Sequence, residues 1–149
     1  VDEAKITVSG VPDLPGIASK ILGPVGAKNI EVDMIVQNTG VDGMTDFTVT
    51  VKRPEYEATM ALLQDVAREI GAREVTGDNT IAKVSIVGVG MRSHAGVATK
   101  VFDRLALENI NIQMISTSEI KISVVIAERY VELAVRALHD AFELDSEPN

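Results

Sequence analysis

An internal repeat limits the possible folds of this chain more than any other feature of its sequence. When the sequence is aligned with itself at an offset of 80 residues, Gly16 lies on Gly96 and Asn29 lies on Asn109. The same offset gives further matched pairs: Ile17 with Val97, Ala18 with Ala98, Lys20 with Lys100, and Met34-Ile35 with Met114-Ile115. Such a run of matches indicates two copies of one structural unit. We expect the functional site where the copies face each other.

The length of the chain suits two small domains. At 149 residues each copy has about half of the chain, and we expect domains at 1–78 and 79–149. Either half alone would bury little apolar surface, so the halves should pack together or dimerise. The composition, 46% hydrophobic and 24% charged, is typical of a globular protein.

Charge and composition argue against several classes of protein. A net charge of −8 with 3% aromatic residues does not suit nucleic-acid binding. Because the sequence has no cysteine, it offers neither disulfides nor a thiolate metal site. No apolar run approaches the ~20 residues of a membrane helix, and no basic-then-apolar leader is present. The expected location is cytoplasmic.

The first helix is predicted from the spacing of its apolar residues. Ile17, Ile21 and Val25 are spaced i, i+4 and i+8, which places them on one helix face. Pro15 is expected as the first helical residue, because that position does not need the backbone N–H that proline lacks. The Gly23-Pro24 pair is expected to kink or end the helix, because proline cannot donate the helical hydrogen bond.

Alternation and turn signals predict the other elements of the first copy. Strands are expected at 5–10, 30–36, 47–51 and 72–76, with a linker at 77–79. Pro54 should open a second helix and Gly71 should close it. The inner face of that helix is predicted to contain Ala58, Leu62 with Leu63, Val66 and Ile70. This order is the ferredoxin-like βαββαβ plan, with antiparallel strands and both helices on one face.

The second copy repeats this order up to its last strand. Strands are expected at 81–88, 111–116 and 120–126, and helices at 94–108 and 129–142. The inner faces of these helices are predicted to contain Val97, Val101, Leu105, Tyr130, Ala134, Leu138 and Phe142. Only 143–149 remain for an eighth strand, so a neighbouring chain or another subunit should cover the open edge. The predicted fold class is α+β, with two ferredoxin-like units in tandem.

The loop before each first helix is a candidate binding site. Gly16 and Gly96 mark helix starts, where backbone N–H groups and the helix dipole can hold an anion. The alternative is that these glycines only permit a tight turn. Asp13, beside the first of them, could receive an ammonium group or only form the turn. Taken together, a helix start, a carboxylate and nearby amides suit a zwitterion such as an α-amino acid.

Known catalytic and cofactor motifs are not matched. Gly88-Val-Gly90 followed by Gly96 fits neither the dinucleotide fingerprint nor the lysine-bearing phosphate loop. His94 and His139 form neither a serine–acid triad nor a His-x-x-x-His metal spacing. With no base or nucleophile in place, the site is expected to bind without reacting. We therefore predict no catalytic residue, no metal and no cofactor.

Four stretches carry a resemblance to a known family. DLPGIASKIL and NIEVDMIVQN, with SIVGVGMRSHAG and ISTSEIKISV in the second copy, closely resemble the tandem ACT domains of aspartate kinase regulatory regions. The resemblance covers essentially the whole chain. It implies feedback inhibition of aspartate phosphorylation by threonine, lysine or both, and a homodimer formed through the ACT domains. Because no kinase domain is present, it also implies a regulatory subunit or fragment that acts with a separate catalytic subunit or domain.

The resemblance also assigns residues. The effector would bind to Asp13, Gly16, Ile17, Ala18, Gln37, Asn111 and Ile112. Its carboxylate would lie on Gly16–Ala18, its polar groups on Asp13 and Gln37, and 111–112 would come from the second type of ACT domain. A second effector site would contain Met91, His94, Gly96, Val97, Gln113, Ser118 and Glu119. Gln113 stands where lysine-binding relatives have an acid, which is a departure from their pattern.

Two other functions are compatible with the sequence. A structural ACT dimerisation module would form a stable dimer whose melting temperature does not change when any amino acid is added. A small ferredoxin-like acyl phosphate hydrolase would need an arginine and an amide aimed at one phosphate, and the repeat offers no such pair at a plausible spacing.

Overall fold

The computed structural model describes residues 2–40, 42–87, 94–118 and 120–146. These residues form two units, one of Asp2–Asn79 and one that begins at Thr80. Each unit combines antiparallel strands with α-helices. The predicted α+β class with two ferredoxin-like units is confirmed.

The first unit has the complete strand and helix order of the predicted plan. Its elements are β1 (Asp2–Pro12), α1 (Ile17–Ala27), β2 (Val32–Thr39), β3 (Met44–Lys52), α2 (Tyr56–Ile70) and the first part of β4 (Glu74–Val87). The strands lie in the order β2-β3-β1-β4, with β3 antiparallel to both β1 and β2. Both helices contribute to one hydrophobic core with the strands, among them Ile21 of α1 and Leu63 of α2.

The start of α1 differs from the prediction, and of the two alternatives at Gly23-Pro24, a kink or an end, the end is wrong. The helix begins at Ile17, and Pro15 lies in the turn before it. The helix does not end at Gly23-Pro24 but continues to Ala27 with Pro24 inside. Ile17, Ile21 and Val25 are buried as predicted, and this burial supports the helix despite the hydrogen bond that proline removes.

The inner face of α2 is turned by one residue from the predicted face. Its buried residues are Thr59, Leu63, Val66 and Ala67, whereas Ala58 is exposed. A 3₁₀ turn at Arg53–Glu55 precedes the helix, and the Thr59 hydroxyl donates to Glu55 O at 2.7 Å. This bond lets a polar residue occupy a buried position. Gly71 closes the helix in the left-handed conformation, as predicted.

The predicted linker at 77–79 lies inside a strand. β4 runs without interruption from Glu74 to Val87, so the separate strands expected at 72–76 and 81–88 are one strand. Because glycine is typical of turns, the sequence pattern around position 77 predicts a loop. In the structure Gly77 lies in β4, where packing leaves no room for a side chain. A Cβ atom on Gly77 would overlap the ring of Tyr56 and the end of Met60.

The second unit contains the rest of β4, α3 (His94–Leu107), β5 (Met114–Thr117), β6 (Lys121–Ala127) and α4 (Val131–Ser146). Its strands lie in the order β4-β6-β5, all antiparallel neighbours. The predicted strand at 111–116 starts only at Met114, and 143–146 belong to α4. The described part of this unit therefore holds three strands. Its core contains Val101, Leu105, Ala134 and Leu138, while Val97, Tyr130 and Phe142 are half-buried.

The second unit carries an apolar groove between β4 and α4. The later halves of the copies match at an offset of 75, because the 3₁₀ turn at Arg53–Glu55 recurs at Glu128–Tyr130. Met60, which covers Gly77 of β4, thus corresponds to Val135. Val135 is 50% exposed and lines a groove of about 280 Å³ with residues of β4 and α4.

The first helices of both copies end in the same way. Asn29 and Asn109 both have left-handed backbones, with φ of 58° and 59°. In each copy the next residue donates its N–H five positions back, from Ile30 to Val25 O and from Ile110 to Leu105 O. This is the Schellman ending, in which asparagine tolerates the left-handed position better than other side chains do.

Candidate functional site

The loop between β1 and α1 has a backbone fixed by short-range hydrogen bonds. The N–H of Leu14 donates to Pro12 O at 3.0 Å, and the N–H of Ile17 donates to Leu14 O at 3.2 Å. Gly16 is left-handed, with φ of 85°, a conformation that strains other residues. The helix can therefore begin abruptly at Ile17.

Among the residues that the structure describes, no side chain caps the first turn of α1. Gly16 is the N-cap residue, no side-chain capping bond is made, and the first turn contains no acid. The N–H groups of a first turn lack acceptors inside the helix and carry the positive end of the helix dipole. A Cβ atom on Gly16 would meet nothing within 4 Å. The helix start therefore has both the donors and the space that an anionic group needs.

Asp13 and Gln37 lie at the same end of the first unit. Asp13 is exposed and follows directly after β1, whose last residue pairs with Met44 at the start of β3. Gln37, near the end of β2, pairs with the core residue Phe47. Directly paired residues point to one face of a sheet. Gln37 therefore lies on the face that the helices cover, and its side chain is exposed.

The strand ends behind this loop are held together by side chains. Asp46 Oδ1 accepts the N–H of Gly10 at 3.1 Å, which joins β3 to β1. The hydroxyls of Thr39 and Thr45 are 3.4 Å apart, which joins β2 to β3. The first unit thus places a helix start, the Asp13 carboxylate and the Gln37 amide at one end of its sheet, where these side-chain hydrogen bonds connect the strands. These groups complement a carboxylate, an ammonium group and a polar side chain.

The corresponding helix start of the second copy is different. Gly96 is the third residue of α3 rather than the residue before it, and it is exposed. Val97 is half-buried, and His94 begins the helix, with its side chain outside the described part. Met91 and Glu119 lie outside the described residues. The two copies therefore do not present equivalent helix starts.

The remaining second-copy candidates lie around β5. Gln113 is half-buried and donates its N–H to Val125 O at 2.8 Å, and Ser118 donates its N–H to Lys121 O at 2.7 Å. Asn111 is exposed and Ile112 packs against the core of the second unit, both between α3 and β5. Three of these four residues are polar, but the backbone hydrogen bonds of Gln113 and Ser118 belong to the sheet and the turn.

Thr117 is the second-copy residue that corresponds to Gln37. Both are matched by the offset of 80, and Thr117 pairs with the buried Ile122 as Gln37 pairs with Phe47. Sequence reasoning named Gln113 and Ser118 but missed Thr117. Carrying the offset through β2 and β5 would have found it.

The described residues show no sign of a metal site or a membrane helix. No group of three His, Cys, Asp or Glu side chains in this part of the chain could hold a metal ion. No helix among the described elements is long and apolar enough to cross a membrane.

Comparison with known proteins identifies the family. Residues 6–68 and 84–142 each match a model described as an ACT domain. Aspartate kinase of Pseudomonas fluorescens (strain SBW25) is 71% identical over 145 residues, which are 97% of this chain and 35% of that protein. The solved structure of aspartokinase alpha and beta subunits contains a chain that is 58% identical, with a TM-score of 0.89. That match covers 95% of this chain and 93% of the other. The chain belongs to the aspartate kinase regulatory family.

A second solved structure has the same extent as this regulatory region. The ligand-free regulatory subunit of aspartate kinase from Thermus thermophilus is 44% identical, with a TM-score of 0.87 and coverage of 95% and 93% of the two chains. The predicted family and its tandem ACT domains are therefore confirmed. The regulatory region spans 35% of the length of the Pseudomonas fluorescens relative.

Proposed function

We propose that this regulatory region binds an amino acid and thereby mediates feedback inhibition of aspartate kinase. It does not phosphorylate aspartate itself and acts on a catalytic subunit or domain in the cytoplasm. Its two ACT domains are assigned to 1–78 and 79–149. Its relatives support this role, since one is a chain in the solved structure of aspartokinase alpha and beta subunits and another is a regulatory subunit of aspartate kinase.

The uncapped start of α1 is the observation that carries the proposal. The effector carboxylate lies on Gly16, Ile17 and Ala18, where the helix dipole favours an anion. It accepts hydrogen bonds from backbone N–H groups other than that of Ile17, which donates to Leu14 O. Asp13 receives the ammonium group, and Gln37 bonds the effector side chain. Asn111 and Ile112 remain effector-binding candidates of the second unit.

Threonine is the proposed effector, with lysine as the alternative. The assigned pocket contains one carboxylate, Asp13, which the α-ammonium group uses. The second ammonium group of lysine would have no carboxylate there, whereas a hydroxyl can bond the amide of Gln37. A second effector position in the later copy involves Met91, His94, Gly96, Val97, Gln113, Ser118 and Glu119.

A homodimer through the ACT domains is part of the same proposal. β2 ends the strand order of the first unit and β5 ends that of the second. Each carries an exposed isoleucine at the matched position, Ile35 at 52% and Ile115 at 45% exposure. Strand edges with apolar side chains are suited to pairing with another chain.

Asp13→Asn should weaken threonine binding without unfolding the protein. The loop carboxylate is exposed and supports no core, while a hydrogen bond to a charged group contributes about 1.5–3 kcal/mol. We expect threonine affinity to fall by roughly tenfold to a hundredfold in calorimetric titration, with an unchanged melting temperature of the unliganded protein.

The matched control is Asp65→Asn, which removes the same charge from the exposed surface of α2. Asp65 pairs there with Arg68, and an exposed ion pair contributes little to stability. This variant should bind threonine as the parent does. Equal affinity in both variants would assign Asp13 to the turn alone.

A further inference from the structure

The helices α1 and α3 hold the same place in the repeat but differ in intrinsic stability. α1 has 11 residues and contains Gly23, Pro24 and Gly26. At the offset of 80, α3 carries Asp103, Arg104 and Ala106 in a helix of 14 residues. Glycine and proline are the two poorest helix formers, whereas the α3 residues all suit a helix better. Because Pro24 has no backbone N–H, it also cannot donate the helical hydrogen bond that Lys20 O would normally accept in α1.

The ends of α1 add little to its stability. It has no side-chain N-cap, no acid in its first turn and no base in its last turn, although each of these would stabilise a helix. Its C-terminal asparagine ending is shared with α3. The buried residues Ile17, Ile21 and Val25 therefore provide most of what holds α1 in place.

Packing around the end of α1 is also incomplete. A surface pocket of about 400 Å³ lies between Ile30, just after α1, and the outer residues Ala58 and Ala61 of α2. In the second copy the positions of these two alanines are held by Leu133 and Arg136. The small side chains of α2 thus leave a space beside α1, and such a space removes packing contacts.

We propose that α1 is the element that senses effector occupancy, because a bound carboxylate supplies the cap that the helix lacks. Without effector, α1 opens locally far more often than α3. With effector, the N–H groups of the first turn gain an acceptor and the whole helix is ordered. The inference rests on the proposed function and adds the conformational response of the site.

Hydrogen exchange of the full chain, followed by mass spectrometry, tests the proposal. Without ligand, the peptide covering 21–27 should exchange at least about tenfold faster than the one covering 101–107. Saturating L-threonine should slow exchange in the first peptide and leave the second unchanged. Threonine amide, which keeps the ammonium group and the hydroxyl but lacks the carboxylate, should give no protection at equal concentration.

Gly23→Ala/Gly26→Ala is the variant that separates helix stability from binding chemistry. A Cβ atom at either position would meet nothing within 4 Å, so both alanines fit without repacking. Exchange in 21–27 without ligand should slow by about fivefold to thirtyfold, threonine should add less protection, and affinity for threonine should rise. The reciprocal control, Asp103→Gly/Ala106→Gly, should speed exchange in 101–107 only.

Two results would overturn the inference. One is equal exchange of 21–27 and 101–107 in the unliganded chain. The other is threonine binding, measured by calorimetry, without any gain of protection in α1. If neither threonine nor lysine binds, the proposed function fails as well, whereas the first comparison remains valid because it needs no ligand.

Discussion

Leu63→Ala should lower the free energy of unfolding by about 2–5 kcal/mol, the range measured for removing a fully buried leucine side chain. Leu63 is 0% exposed and belongs to the core that joins α1 and α2 to the sheet. The truncation leaves a cavity that close-packed neighbours cannot fill. Urea unfolding followed by circular dichroism, with linear extrapolation to water, measures the loss.

The neighbouring Leu62 is the matched control. It is half-buried and borders the open pocket beside α1, so its truncation creates no enclosed cavity. We expect Leu62→Ala to cost less than about 1 kcal/mol. Equal losses in the two variants would contradict the orientation of α2.

Gly10→Ala should lower the free energy of unfolding by about 2–5 kcal/mol, through two effects. The backbone of Gly10 is left-handed, with φ of 69°, which costs a residue with a side chain about 1–2 kcal/mol. The new Cβ atom would also lie 2.7 Å from Cβ of Arg73. Relieving that overlap requires movement of backbone and costs about 1–3 kcal/mol more. The same urea experiment measures the result.

Gly43→Ala separates the two effects. Gly43 is also left-handed, with φ of 77°, but a Cβ atom there would meet nothing within 4 Å. Only the conformational cost of about 1–2 kcal/mol should remain. If the two variants lose the same stability, the contact between Gly10 and Arg73 has no energetic weight.

The internal repeat and the spacing of apolar residues predicted most elements of the fold. The wrong predictions concern positions whose structure is determined by tertiary packing. Leu62 and Leu63 fit the helical period equally well, so local sequence could not choose which of them faces the core. Gly77 was assigned to a linker because glycine is a turn signal, but in β4 it admits the aromatic ring of Tyr56. Pro24 remained inside α1 because three buried residues hold that helix in place.

The candidate site was predictable in part for a similar reason. Asp13 and Gly16 are neighbours in sequence, and the glycine signals a helix start, so local reasoning could find them. The face on which Gln37 lies depends on its pairing with Phe47, which only a three-dimensional register defines. The sequence also could not predict that Gly16 precedes its helix whereas Gly96 lies inside its own, because the two glycines are equivalent in the repeat.

Calorimetric titration of the full chain with L-threonine and with L-lysine tests the central claim most directly. We predict saturable binding of threonine, and a stabilisation of the folded state by about 2.7 kcal/mol at a threonine concentration of 100 times the dissociation constant. Absence of binding by both amino acids at millimolar concentration, with no change in thermal unfolding, would contradict an effector site at the start of α1.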